Sequence, residues 1–190
     1  LSIRRQRQMC IRDSRKGDDG LLNAIIAIIE GQGVRVVSAL DLAPGLAIRE
    51  AGRLGRAAPN ADAEGEIAIG LNLIAVLSPF DVGQCVVVSD GRPVAIEGAE
   101  GTDAMLARVA DMRSNGRLGR ETGGGVLVKA PKQGQNMRID IPTIGPTTVR
   151  NAAAAGLQGI AISVGSVLVA ERDATVKLAD ELGLFIEARP

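Results

Sequence analysis

The chain has 190 residues, 46% of them hydrophobic, and its 22 basic residues are balanced by 22 acidic ones. Zero net charge and the lack of Trp and Tyr argue against nucleic acid, which needs an attracting field and aromatic stacking platforms. No histidine is present, so acid–base or metal chemistry within the chain must use Asp, Glu, Lys, Arg, Cys or metal-bound water.

Residues 1–14, LSIRRQRQMCIRDS, match nothing that follows in charge or periodicity. They resemble translated sequencing adapter and are expected to be an artefactual leader, with residues 15–190 forming one domain. Cys10 lies in this leader, and with Cys85 as the second cysteine there is no disulfide framework. Asp18 and Asp19 suit a helix start, and Leu21 to Glu30 reads as a helix ended near Gly31 and Gly33. Val34 to Val37 is β-branched and predicts a short strand. Residues 39–60 carry Pro44, Gly45, Gly52, Gly55 and Pro59, which predicts loop with a short helical turn.

Asp62 to Leu77 predicts a helix that is apolar on much of its surface and therefore mostly buried. Its apolar run, Ile67 to Leu77, is broken by Gly70 and Asn72 and is too short to span a bilayer. Val82 to Val88 reads as a strand holding Cys85 as a small buried hydrophobe. Ser89-Asp90-Gly91 then signals a hairpin into Pro93–Ile96. A loop dense in carboxylates and glycine, Glu97 to Asp103, precedes a helix over Ala104–Met112 that Thr102 or Asp103 can cap.

Arg117 and Arg120 read as solvated loop. The Gly123–Gly125 run lacks the lysine–serine pair of a P-loop. Val126 to Val128 is a buried strand, followed by a long polar crossing to Gly145 in which an extended backbone would point Arg138 and Asp140 to one side. Pro146 opens a helix through Ala155. Gly159–Ser163 and Ser166–Val169 predict strands, Asp173–Leu182 a helix and Leu184–Ile186 a last strand. Helices and strands interleave, and the hairpin excludes a purely parallel sheet. The expectation is an α/β fold with a mixed sheet flanked by helices.

Three loops hold the polar density: Glu97–Asp103, Lys129–Gly145 and Ser163–Gly165. Loops leaving one edge of such a sheet converge, so the first two could share a pocket. Glu97, Glu100 and Asp103 together with Lys129, Lys132 and Arg138 have the composition of a metal-assisted phosphate site, in which carboxylates hold a cation and cationic side chains hold phosphate oxygens. The same residues also fit a plainer reading. Thr102 and Asp103 would then cap a helix, the basic residues would stay solvated, and the crossing would be a surface loop held by its own turns.

Several blocks in order carry a family likeness: IEGAEGTDAML (Ile96–Leu106), GVLVKAPKQGQNMRIDIPTIGPTTV (Gly125–Val149), AGLQGIAISVG (Ala155–Gly165) and ADELGLFI (Ala179–Ile186). With GDDGLL (Gly17–Leu22) and FDVGQCVVV (Phe80–Val88), they resemble the C-terminal domain of LpxI-type UDP-2,3-diacylglucosamine pyrophosphatases. The resemblance implies magnesium-dependent hydrolysis of UDP-2,3-diacylglucosamine to UMP and 2,3-diacylglucosamine 1-phosphate, with water as nucleophile. It implies a Rossmann-like domain upstream, a homodimer, and a cytoplasmic location that allows peripheral contact with the inner membrane.

The block Arg138 to Pro142 corresponds to that of the family's essential aspartate, which makes Asp140 the expected catalytic residue. Magnesium ligands are expected at Asp140, Asp103 and Glu100. Substrate contacts are expected at Gly98, Gly101, Thr102, Lys129, Lys132, Gln135, Arg138, Thr143 and Gly145. Gln133 stands where the family commonly has proline, and Asn136 where it commonly has an acid. A non-catalytic domain that binds a nucleotide or acyl ligand is the alternative expectation.

Overall fold

The computed structural model describes residues 17–118 and 124–190. The expected leader, Cys10, the side chains of Asp18 and Asp19, Arg120 and Gly123 therefore lie outside the described residues. The chain runs α1 (Gly17–Glu30), α2 (Ala39–Leu42), β1 (Gly52–Arg53), α3 (Ala61–Leu77), β2 (Cys85–Ser89), β3 (Arg92–Ile96) and α4 (Gly101–Ser114). It continues through β4 (Val126–Lys129), β5 (Thr143–Ile144), α5 (Pro146–Ala154), β6 (Gly159–Ser163), β7 (Leu168–Val169), α6 (Arg172–Leu182) and β8 (Phe185–Arg189).

Six strands form one mixed sheet in the order β1-β8-β6-β4-β2-β3, and β5 pairs with β7 in a small separate one. β4, β6 and β8 are parallel, while β2 runs antiparallel to both β4 and β3. The predicted hairpin is present. Asp90 and Gly91 both take left-handed backbone at its tip, the pair of positive φ angles that an Asp-Gly turn supplies.

The inner strands β2, β4, β6 and β8 bury both faces, so their side chains divide by alternation. Val86, Val88, Val126, Val128 and Phe185 pack on one side with Ala63, Ile67 and Ile74 of α3. Cys85, Val87, Leu127, Ile160, Ile162 and Ile186 pack on the other with Met105, Val109, Val149 and Ala179 of α4, α5 and α6. Two glycines permit close approach: a Cβ on Gly70 would lie 2.5 Å from Val128 Cγ2, and one on Gly159 would lie 2.3 Å from the Phe185 ring.

Three expectations are corrected. Val34–Val37 is not a strand; Val34 is exposed, and among the described residues no strand pairs with this segment. Helix α3 is buried on one face only, through Ala63, Glu66, Ile67, Gly70 and Ile74, while Val76 faces out. Helical structure also continues past the predicted run through a short 3₁₀ turn, giving 20 residues, Ala61–Phe80, long and apolar enough by length and composition to cross a membrane. Here that helix packs against β2 and β4. Third, the crossing after β4 is not extended at Arg138: the Asp140 N–H donates to the Asn136 carbonyl at 3.1 Å, closing a compact turn.

Candidate functional site

Because β2 is antiparallel to β4 and β3, the start of β2 and the ends of β3 and β4 share one sheet edge. Cys85 stands opposite Lys129, and the Glu97 N–H donates to the Cys85 carbonyl at 2.9 Å. Three loops meet there: residues 78–84 before β2, 97–101 after β3 and 130–142 after β4. Between them opens a cleft of about 880 Å³ lined by Asp81, Gln84, Glu97, Gly98, Gly101, Lys132 and Asp140, with Leu21, Leu22, Pro79, Phe80 and Val82 on its apolar walls. The convergence of the first two polar loops expected from sequence is therefore present.

Asp140 owes its position to Gln135. The buried Gln135 amide Nε2 donates to Asp140 Oδ2 at 2.7 Å, to the Asp140 carbonyl at 3.0 Å and to Gln84 Oε1 at 2.8 Å, and its Oε1 accepts from the Lys132 N–H at 2.8 Å. This one amide ties the loop after β4 to the loop before β2 and fixes the carboxylate rotamer. Lys132 reaches across the cleft to an ion pair with Asp81, which sits in left-handed backbone just after the 3₁₀ turn. Gly83 is also left-handed, and a Cβ there would meet Ile96 Cγ2 at 2.9 Å, so glycine lets this loop lie against the end of β3.

The wall between β3 and α4 holds a buried polar chain. Lys129 Nζ donates to Thr102 Oγ1 at 2.7 Å, and that hydroxyl donates to Glu97 Oε1 at 2.8 Å. Lys129 is 5% exposed and Glu97 7%. Cys85 lies beside this chain, and burial pushes its thiol from 9.0 up to about 12, against the opposing pull of the Lys129 ammonium. It is an inert core residue. Glu97 Oε2 is buried without a hydrogen-bond partner among the described residues.

The remaining expected site residues are placed elsewhere. Gly145 caps α5, and the Thr143 hydroxyl donates to the Ile141 carbonyl at 3.0 Å. Arg138 pairs with Glu30 of α1 at 2.9 Å, while the Asn136 side chain bonds Asn23 of the same helix, so α1 straps the crossing down.

Glu100 pairs with Arg108 at 2.7 Å, and its own backbone N–H followed by Arg108 hold its carboxyl below the ordinary 4.5. Asp103 accepts from Asn151 Nδ2 at 2.8 Å, on the face of α4 turned to α5. The expected set of Asp140, Asp103 and Glu100 is thus not one ligand cluster. Helix α4 begins a residue before Thr102, which carries Asp103 away from the cleft, and among the described residues no three carboxylate or thiol groups are close enough to share a metal ion.

Residues 50–187 match the family described as the LpxI C-terminal domain. The chain belongs to that family. UDP-2,3-diacylglucosamine pyrophosphatase LpxI of Caulobacter vibrioides is 41% identical to it over 173 residues, which covers 91% of this chain and 61% of the relative's length.

In this LpxI domain, sequence reasoning did not single out Asp81 and Gln84 as site residues, although both lie at the start of the block FDVGQCVVV. Their signal was a polar segment with a glycine just before a buried apolar run, which marks a tight loop at a sheet edge. Magnesium suits such a donor set, because it commonly binds one or two carboxylates and takes its other ligands from water and substrate phosphates. Asp140, whose Oδ1 has no partner among the described residues, is the carboxylate best placed to hold it.

Proposed function

We propose that this domain is the phosphate-handling half of a magnesium-dependent pyrophosphatase that hydrolyses UDP-2,3-diacylglucosamine to UMP and 2,3-diacylglucosamine 1-phosphate. The observation that carries the reading is the Asp140 carboxylate, locked by Gln135 at the mouth of a cleft that also holds the Lys132 ammonium. Family membership supports the reaction class, and the named relative supports the substrate.

Each group has a task that its chemistry suits. Bound magnesium supplies charge neutralisation on the diphosphate and a more acidic water. Asp140, its rotamer fixed by Gln135, would hold the cation and orient the attacking water. Lys132, shared with Asp81, offers an ammonium to phosphate oxygens. The Gly98–Gly101 turn brings the N-terminus of the 14-residue helix α4 to the cleft, where its free N–H groups favour an anion. Leu21, Leu22, Phe80 and Val82 give the same cleft an apolar side fit for an acyl chain. With this function go a homodimer of the complete protein and work at the cytoplasmic face of the inner membrane.

The test is Asp140→Asn in the protein with its complete coding sequence, read as magnesium-dependent release of UMP. The expected result is a loss of about a hundredfold or more in turnover with substrate binding retained. Near-normal turnover removes Asp140 from the chemistry, and a wild-type protein that binds the sugar nucleotide without cleaving it is a binding module instead.

A further inference from the structure

We propose that Glu97 contacts substrate directly, its carboxylate accepting a hydroxyl of the bound sugar nucleotide; this rests on the function proposed above. Glu97 follows β3 directly with its backbone fixed by the bond to Cys85, and the residue lines the cleft. One carboxylate oxygen is fully engaged: Oε1 accepts the Thr102 hydroxyl at 2.8 Å, and that hydroxyl accepts Lys129 Nζ at 2.7 Å. The other, Oε2, is buried and has no hydrogen-bond partner among the described residues.

Buried polar atoms are almost always paired, and an unpaired carboxylate oxygen is among the costliest exceptions. Charge compensation with the buried Lys129 runs through Thr102 to Oε1 alone, so it does not account for the burial of Oε2. What the arrangement does achieve is a carboxylate held at one oxygen beside the cleft. Rotation about the last side-chain torsion is soft, so a small turn brings Oε2 to the cleft surface while Thr102 keeps hold of the group.

The surroundings select the kind of partner. A phosphate oxygen would be repelled by the carboxylate. A second cation is disfavoured, because the Lys129 ammonium already compensates the charge through a single intervening hydroxyl. A neutral donor fits, and the hydroxyls of a sugar nucleotide are its commonest neutral donors. They come from two sources, the ribose and the hexose. Thr102 and Lys129 act as positioning residues behind Glu97.

The experiment uses the protein with its complete coding sequence, as wild type, Glu97→Gln and Thr102→Val. Calorimetric titration with UMP and, separately, with 2,3-diacylglucosamine 1-phosphate gives the affinities, and thermal melts establish that each variant is folded. The expected result for Glu97→Gln is an affinity about tenfold weaker or more for one ligand, with the other unchanged. Loss on UMP assigns the ribose, and loss on the lipid phosphate assigns the hexose. Thr102→Val weakens the same ligand by a smaller factor, and it carries the test alone if Glu97→Gln does not fold.

Equal losses on both ligands, no loss on either, or a loss seen only when magnesium is present overturns the assignment. Wild-type protein that binds neither ligand overturns the proposed function along with it.

Discussion

Replacing Gln135 with leucine probes the link on which the site depends. The side chain has two N–H donors shared among three acceptors, one of them the Asp140 carboxylate at 2.7 Å, and its carbonyl holds the Lys132 N–H at 2.8 Å. A bond to a charged group contributes about 1.5–3 kcal/mol and a neutral one about 0.5–1.5 kcal/mol. Leucine restores apolar packing in this buried position, which leaves an expected loss of about 2–4 kcal/mol. In a chain of this size that lowers Tm by about 4–16 °C, measurable by circular dichroism.

The functional consequence is separate. With its rotamer released, Asp140 no longer points one oxygen into the cleft, and turnover should fall about a hundredfold, as misplacement by an ångström does elsewhere. Gln84→Ala removes one neutral partner only and should cost about 1 kcal/mol. If Gln135→Leu keeps the wild-type Tm and full turnover, the amide is not what positions Asp140, and the account of the site is wrong.

Three further outcomes follow from named contacts. Burial raises the Glu66 carboxyl above its ordinary 4.5, so the native state holds a proton that the unfolded chain has released; that contribution is complete below pH 4.5 and is lost as pH rises through the raised value. Glu66→Gln should therefore raise Tm at pH 7 and flatten the decline above pH 4.5, and melts across that range will show whether the slope persists. Glu100→Ala and Asp103→Ala should each retain most of the turnover, since these side chains are engaged by Arg108 and Asn151; a collapse of UMP release in either would restore them to the metal site. Gly159→Ala puts a methyl 2.3 Å from the Phe185 ring between two central strands, and urea denaturation should find it destabilised by about 1–3 kcal/mol.

Much of the architecture follows from local chemistry and is legible along the chain. The runs Val86-Val87-Val88 and Val126-Leu127-Val128 are apolar on both faces, so they must lie inside a covered sheet, and Asp90-Gly91 can turn only as a hairpin. Pro146 and Gly183 mark where helices begin and end. Those signals act over a few residues. Val34 to Val37 has the same β-branched composition and forms no strand, because strand formation also needs an edge to pair with.

What the sequence by itself determined is the class of the fold and where along the chain its polar loops fall. Only the tertiary structure decided which charges face each other. A loop residue's direction depends on its turn and on distant partners: Asp81 comes to Lys132 across 51 positions of sequence, Arg138 is drawn to Glu30 across 108, and Asp103 is turned to Asn151 by the phase of α4. Spacing along the chain encodes periodicity, whereas a site is a set of long-range contacts, and these exist only once the sheet has brought its loops to one edge.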